Sequence, residues 1–159
     1  VIIKETKLKF AGNFDFVLLY RSLQLFMQKK GFGAVKEKLY VEKVKPAGKF
    51  IEIVWETTKD EGAYFKWILE IKFFGIAVND TEIDFEGKKV KAHKGELEIG
   101  FSATLVRNAS NEWPDKSFKK RLYEKYIISD KIEQQKIDLH KNVTAIIDEV
   151  KRFLNVYRS

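Results

Sequence analysis

Apolar and polar residues alternate along most of this chain, and give way to helical spacing near its start and its end. Ile2, Thr6, Leu8 and Phe10 fall on one face of the first segment, with Glu5, Lys7 and Lys9 on the other, the period of a half-buried strand. Gly12-Asn13 predicts a turn, and Asp15 or Asn13 can cap the helix that follows. Phe16, Leu19, Tyr20, Leu23, Phe26 and Met27 then recur at helical spacing until Gly31 supplies a stop. Val35, Leu39 and Val41 share the near face of the next strand, which runs to a turn at Pro46-Ala47-Gly48.

The middle of the chain is a run of strands. Ile51, Ile53, Trp55 and Thr57 alternate with Glu52, Val54 and Glu56. After a turn at Asp60-Glu61-Gly62, Phe65, Trp67, Leu69, Ile71 and Phe73 alternate with Lys66, Glu70 and Lys72, the strongest strand signal present. Gly75 is expected to break or bend it. A short segment from Thr81 to Phe85 reverses at Glu86-Gly87, and Leu97, Ile99, Phe101, Ala103 and Leu105 mark a last long strand with a one-sided apolar face. Residues 107–117 read as a polar loop anchored by Trp113. From Phe118 to about Tyr157 the chain is charged and helical. As one helix this stretch would reach roughly 60 Å. Ser129-Asp130 with Glu133 reads as an internal capping box, which predicts two helices instead. The second carries Leu139, Val143, Ile146 or Ile147, Val150, Phe153 or Leu154, and Tyr157.

This order predicts an α+β domain spanning residues 1–159: an antiparallel sheet of about five to seven strands, with an N-terminal helix and a long, broken C-terminal helix packed on it. The composition is in keeping with one core. Hydrophobic residues make up 45% and charged residues 33%, so apolar surface suffices for a core and charge suffices to cover it. The absence of cysteine excludes disulfides, thiol catalysis and thiolate metal sites. No segment approaches the length of a membrane span, so a soluble protein, intracellular or particle-associated and without a membrane partner, is expected. The net charge of +7 is interspersed with acids, milder than the clustered stripe of a dedicated nucleic-acid binder.

Several runs resemble a family of small uncharacterised archaeal proteins: Phe14-Asp15-Phe16 leading to Leu19-Tyr20, Glu37 through Lys43, Trp55 through Lys59, Gly87 through Lys91, and Lys94-Gly95-Glu96-Leu97. That resemblance implies no activity. Where its pattern has polar or acidic residues, this chain has Val17 and Leu18. The element order also resembles the helix-grip superfamily of START-like domains, which implies a final helix closing a curved sheet over an apolar cavity.

Candidate chemistry is sparse. The two histidines, His93 in a lysine-rich turn and His140 on the terminal helix, lack ligand spacing with each other or with a carboxylate pair, so no metal site is expected. No nucleotide-binding or nucleophile-elbow motif occurs, and no cofactor is expected. Asp80, Glu82, Asp84 and Glu86 alternate on one strand face. Lys88, Lys89 and Lys91 follow across a tight turn, and cross-strand ion pairing is the expected arrangement. Lys116, Lys119, Lys120, Arg121 and Lys125, interleaved with Phe118, Tyr123 and Tyr126, form a candidate anion or nucleic-acid contact, although nucleic acid is not the favoured partner.

The first helix is the outlier. Val17, Leu18 and Leu25 are apolar residues beyond its core stripe, and a helix apolar nearly all round is buried on more than one side. These three residues predict a partner interface. The expectation is therefore a non-catalytic structural or interaction protein, a self-assembling subunit of a particle or filament. The alternatives are a helix-grip module binding an apolar small molecule, and a nucleic-acid-associated basic protein.

Overall fold

A computed structural model describes residues 2–62, 64–107 and 129–155. Five strands, β1 (Ile2–Phe14), β2 (Lys36–Lys45), β3 (Gly48–Glu61), β4 (Phe65–Phe85) and β5 (Lys88–Arg107), form one antiparallel sheet. Helix α1 (Phe16–Lys29) joins β1 to β2, and α2 (Ser129–Leu154) is the last long element. The α+β class and the placement of both helices follow the sequence pattern.

The strand order is β1-β5-β4-β3-β2, a meander of four strands with the first strand returning to pair with the last. The register stacks apolar residues in rows across the sheet. Leu8, Ile99, Phe73 and Ile53 stand side by side, and the next row holds Thr6, Phe101, Ile71 and Trp55. This face carries the core, and both helices cover it. Leu19, Leu23 and Met27 of α1 enter the same cluster as Leu139, Val143, Ile146, Val150 and Leu154 of α2. Trp67 lies beneath α2, its Nε1 donating to Gln135 Oε1 at 2.8 Å, so its polar edge is satisfied as its ring is buried. Trp55, Trp67 and Phe101 keep at most 2% of their surface, which leaves no accessible wall among them.

The opposite face is polar and only partly buried. Glu70 and Lys72 lie 3.5 Å apart there, and Lys7 and Glu98 lie 3.6 Å apart.

Three local expectations are corrected. Gly12-Asn13 is not a turn: β1 runs on to Phe14, because the ladder to β5 continues through Gly12↔Gly95, Asn13↔Lys94 and Phe14↔His93. Val35, Leu39 and Val41 do not share one face. The register slips between Glu37 and Leu39, so Lys38 is an extra residue, and Leu39 and Val41 pair with Val54 and Glu52 on the polar face while Val35 stays against the core. Gly75 does not break β4. The bend comes two residues later, where Ala77 and Val78 together oppose Gly95 and Ala77 takes φ 51°. A Cβ on Gly95 would sit 2.9 Å from the Ala77 carbonyl oxygen and from Val78 Cα, backbone atoms that cannot yield, so this crossing requires glycine. Asn79 Nδ2 donates to the Ala47 carbonyl at 3.0 Å and ties the bend to the β2–β3 turn.

β1 leaves the sheet at Phe14↔His93, and from Thr81↔Ala92 onward β4 and β5 run on alone as a two-stranded arm. It ends at Glu86-Gly87, both at positive φ, the type I′ geometry that suits the twist of a hairpin.

Candidate functional site

The site is built around α1. Asp15 adopts an extended conformation and its Oδ1 accepts from the Leu18 N–H at 3.0 Å, the N-cap expected from the sequence. A second helix-end donor, the Phe16 N–H, is taken by His93 Nδ1 at 3.2 Å, from a strand 77 residues away. His93 is thus not a surface residue in a turn. It lies mid-strand in β5, opposite Phe14 and Asp80, with its ring stacked near Phe14. An Nδ1 that accepts carries no proton, so the neutral ring bears its hydrogen on Nε2, which lies 3.7 Å from Asp80 Oδ1. Replacing Asp15 with alanine is expected to cost ~1 kcal/mol, since one of these two caps remains. Urea unfolding of the variant checks this.

The other end of α1 closes in a Schellman motif. Phe32 N–H reaches the Met27 carbonyl at 3.1 Å and Gly31 N–H reaches Gln28 at 3.0 Å, with Gly31 at φ +93°. Phe32 and Met27 are both buried, so the helix end is pinned to the core on both sides of the stop.

Between these caps the helix has two faces. On the inner face Leu19, Leu23 and Met27 are buried, and Phe16, Tyr20 and Phe26 pack against the core partly covered. Tyr20 stands edge-on to Trp55, ring centroids 4.6 Å apart, and its hydroxyl donates to Glu37 Oε1 at 2.5 Å. Burial, and then the bond to the Glu37 carboxylate, push the Tyr20 hydroxyl up to about 12. A folded-state value above the usual 10 means that the native protein holds this proton after the unfolded chain has released it. The contribution is fully present below pH 10 and is lost as pH rises from 10 through 12. Unfolding measured at intervals over that range should show a steeper loss for the wild type than for Tyr20→Phe.

On the outer face Val17, Leu18 and Leu25 are 52%, 45% and 59% exposed, where the pattern placed them, off the core stripe. Leu19, Ser22 and Leu23 face Glu149, Val150 and Phe153 of α2, so the described part of α2 runs along the flank of this stripe and leaves it exposed. Among the described residues eight large hydrophobics are exposed, and six belong to α1 or β2: these three with Leu39, Tyr40 and Val44.

A groove of about 730 Å³ opens between the start of α1 and the hairpin arm, lined by Asp15, Val17, Asp80, Glu82, Lys91 and His93, with Thr81 and Ala92. The register sets Asp80 against His93, Glu82 against Lys91 and Asp84 against Lys89, but of the expected cross-strand ion pairs only Asp80–His93 comes within 3.7 Å among the described residues. Among the described residues no group of three or more histidines and carboxylates converges as a metal site. No described helix is long and apolar enough to cross a membrane, which says nothing of strand-built membrane proteins.

Lys116, Lys119, Lys120, Arg121 and Lys125 lie outside the described residues, as does Trp113. So does the expected helix break. α2 is described from Ser129 onward, and residues 118–128 lie outside the described residues. The groove and the His93 cap were not legible in the sequence, because each depends on a register that brings the start of α1 against strand residues more than 60 positions away.

No protein-family model matches the chain, and no curated protein matches it.

Proposed function

We propose that this chain is a non-catalytic structural subunit that associates with copies of itself through the outer face of α1, in a particle or filament. The observation that carries the reading is the exposure of Leu18 and Leu25, seven residues apart, on a helix whose opposite face is already committed to the core. Single exposed apolar residues are ordinary, but a patterned stripe is the mark of an interface. Tyr40, exposed and paired with Ile53 on the core side of β2, extends the apolar character to the strand joined to α1 through Tyr20 and Glu37, whereas Leu39 lies on the other face. An intracellular or particle-associated setting goes with this proposal.

The alternative of an apolar-ligand module of helix-grip type would place a cavity between the sheet and α2. The near-complete burial of Trp55, Trp67 and Phe101 weighs against it. Mass in solution tests the proposal. Light scattering across a hundredfold range of concentration should show a rising mass, and a constant monomer mass would remove self-association as the function.

A further inference from the structure

If the α1 stripe is an interface, its charges restrict what can cover it. From Phe16 to Lys30 the chain carries Arg21, Lys29 and Lys30 and no acid. Arg21 lies between Leu18 and Leu25 on the outer face, and Lys29 continues that face one turn further on. A two-fold axis that set Leu18 against Leu25 of a second copy would pass beside residue 21 and bring Arg21 against its own copy. Parallel pairing would oppose Arg21 and Lys29 to themselves. Like charges placed together across an interface oppose it and select another partner.

The chain offers a complementary surface elsewhere. The groove between the start of α1 and the hairpin arm presents the carboxylates Asp15, Asp80 and Glu82 against one lysine, Lys91, so its lining is acidic on balance. Asp80 is largely exposed, and the volume of about 730 Å³ is enough to receive several side chains. Resting on the self-association proposed above, we infer that the contact is head-to-tail: the Leu25–Lys29 side of α1 in one copy enters the Asp80–Glu82 groove of the next. Leu25 supplies apolar burial, while Arg21 and Lys29 meet the carboxylates. A surface that joins a different surface of an identical chain does not close at two copies. It continues into a ring or an open filament.

A charge-swap mixing experiment tests this on the full chain. One variant carries Arg21→Glu and Lys29→Glu; the other carries Asp80→Lys and Glu82→Lys. Circular dichroism confirms the fold of each, and sedimentation velocity reads association at low and high salt. Each variant alone should associate at least ~10-fold more weakly than the wild type, since each opposes like charges at the joint. An equimolar mixture should regain the wild-type mass, because each variant's helix then faces a groove of opposite charge. The inference is overturned if the mixture associates no better than its parts, or if wild-type mass stops at two copies. Should the groove variant fail to fold, the helix variant alone decides: undiminished association would overturn the inference. A wild type that stays monomeric would instead remove the underlying self-association reading.

Discussion

Replacing Leu18 and Leu25 together with glutamate is expected to abolish self-association while leaving the fold intact. Both side chains lie off the core stripe that Leu19, Leu23 and Met27 occupy, so their loss leaves no cavity. Substitutions at such positions usually change stability by no more than ~0.5 kcal/mol. Burying apolar surface at an interface yields ~25 cal/mol per Å² before the costs of association, and two carboxylates in its place would have to be desolvated, a cost that Arg21 and Lys29 beside them repay only in part. Light scattering for mass and thermal melting for stability separate the outcomes. Loss of folding would mean that the stripe is covered within the chain. A wild type and a variant that are both stable monomers would rule out the interface.

Truncating Trp67 to alanine is expected to destabilise the protein by ~3–5 kcal/mol, the range for a large buried ring. Its ring lies under α2, close to Phe32 at the stop of α1, and Lys59 Nζ sits 4.8 Å from the ring centroid. One substitution therefore loosens both helices from the sheet. In a domain of this size that should lower the melting temperature by roughly 10 °C or more. Trp67→Phe removes the bond to Gln135 but keeps most of the ring volume, and should cost less. A Trp67→Ala variant of native stability would contradict the register of β4 between β3 and β5.

The alternating runs around Trp67 and Phe101 were legible because their period is set by a buried face and needs no knowledge of partners. The caps of α1 were legible for a similar reason: Asp15 and Gly31 act on backbone groups two or three residues away. What was not legible depends on distant pairing. Gly12 and Asn13 have the composition of a turn, yet β5 holds them extended. The extra residue at Lys38 turns Leu39 to the polar face, and no local signal distinguishes that strand from a regular one. Of the candidate site, the apolar stripe of α1 was visible in the spacing of Val17, Leu18 and Leu25. The groove beside it required knowing that Asp80 and His93 are opposite each other.

The return of β1 to β5 has a consequence for biosynthesis. Its ladder joins residues roughly 80 to 100 positions apart, the kind of distant pairing that slows folding. As the chain leaves the ribosome, β2 to β4 emerge and can pair in sequence, while β1 waits for a strand not yet made. Until β5 has emerged, β1 and the edge of β4 that β5 will join have no cover. Once β5 is made, its outer edge can accept the first strand of a neighbouring nascent chain in place of its own. Strand exchange between copies translated side by side is the misassembly to which this topology is exposed.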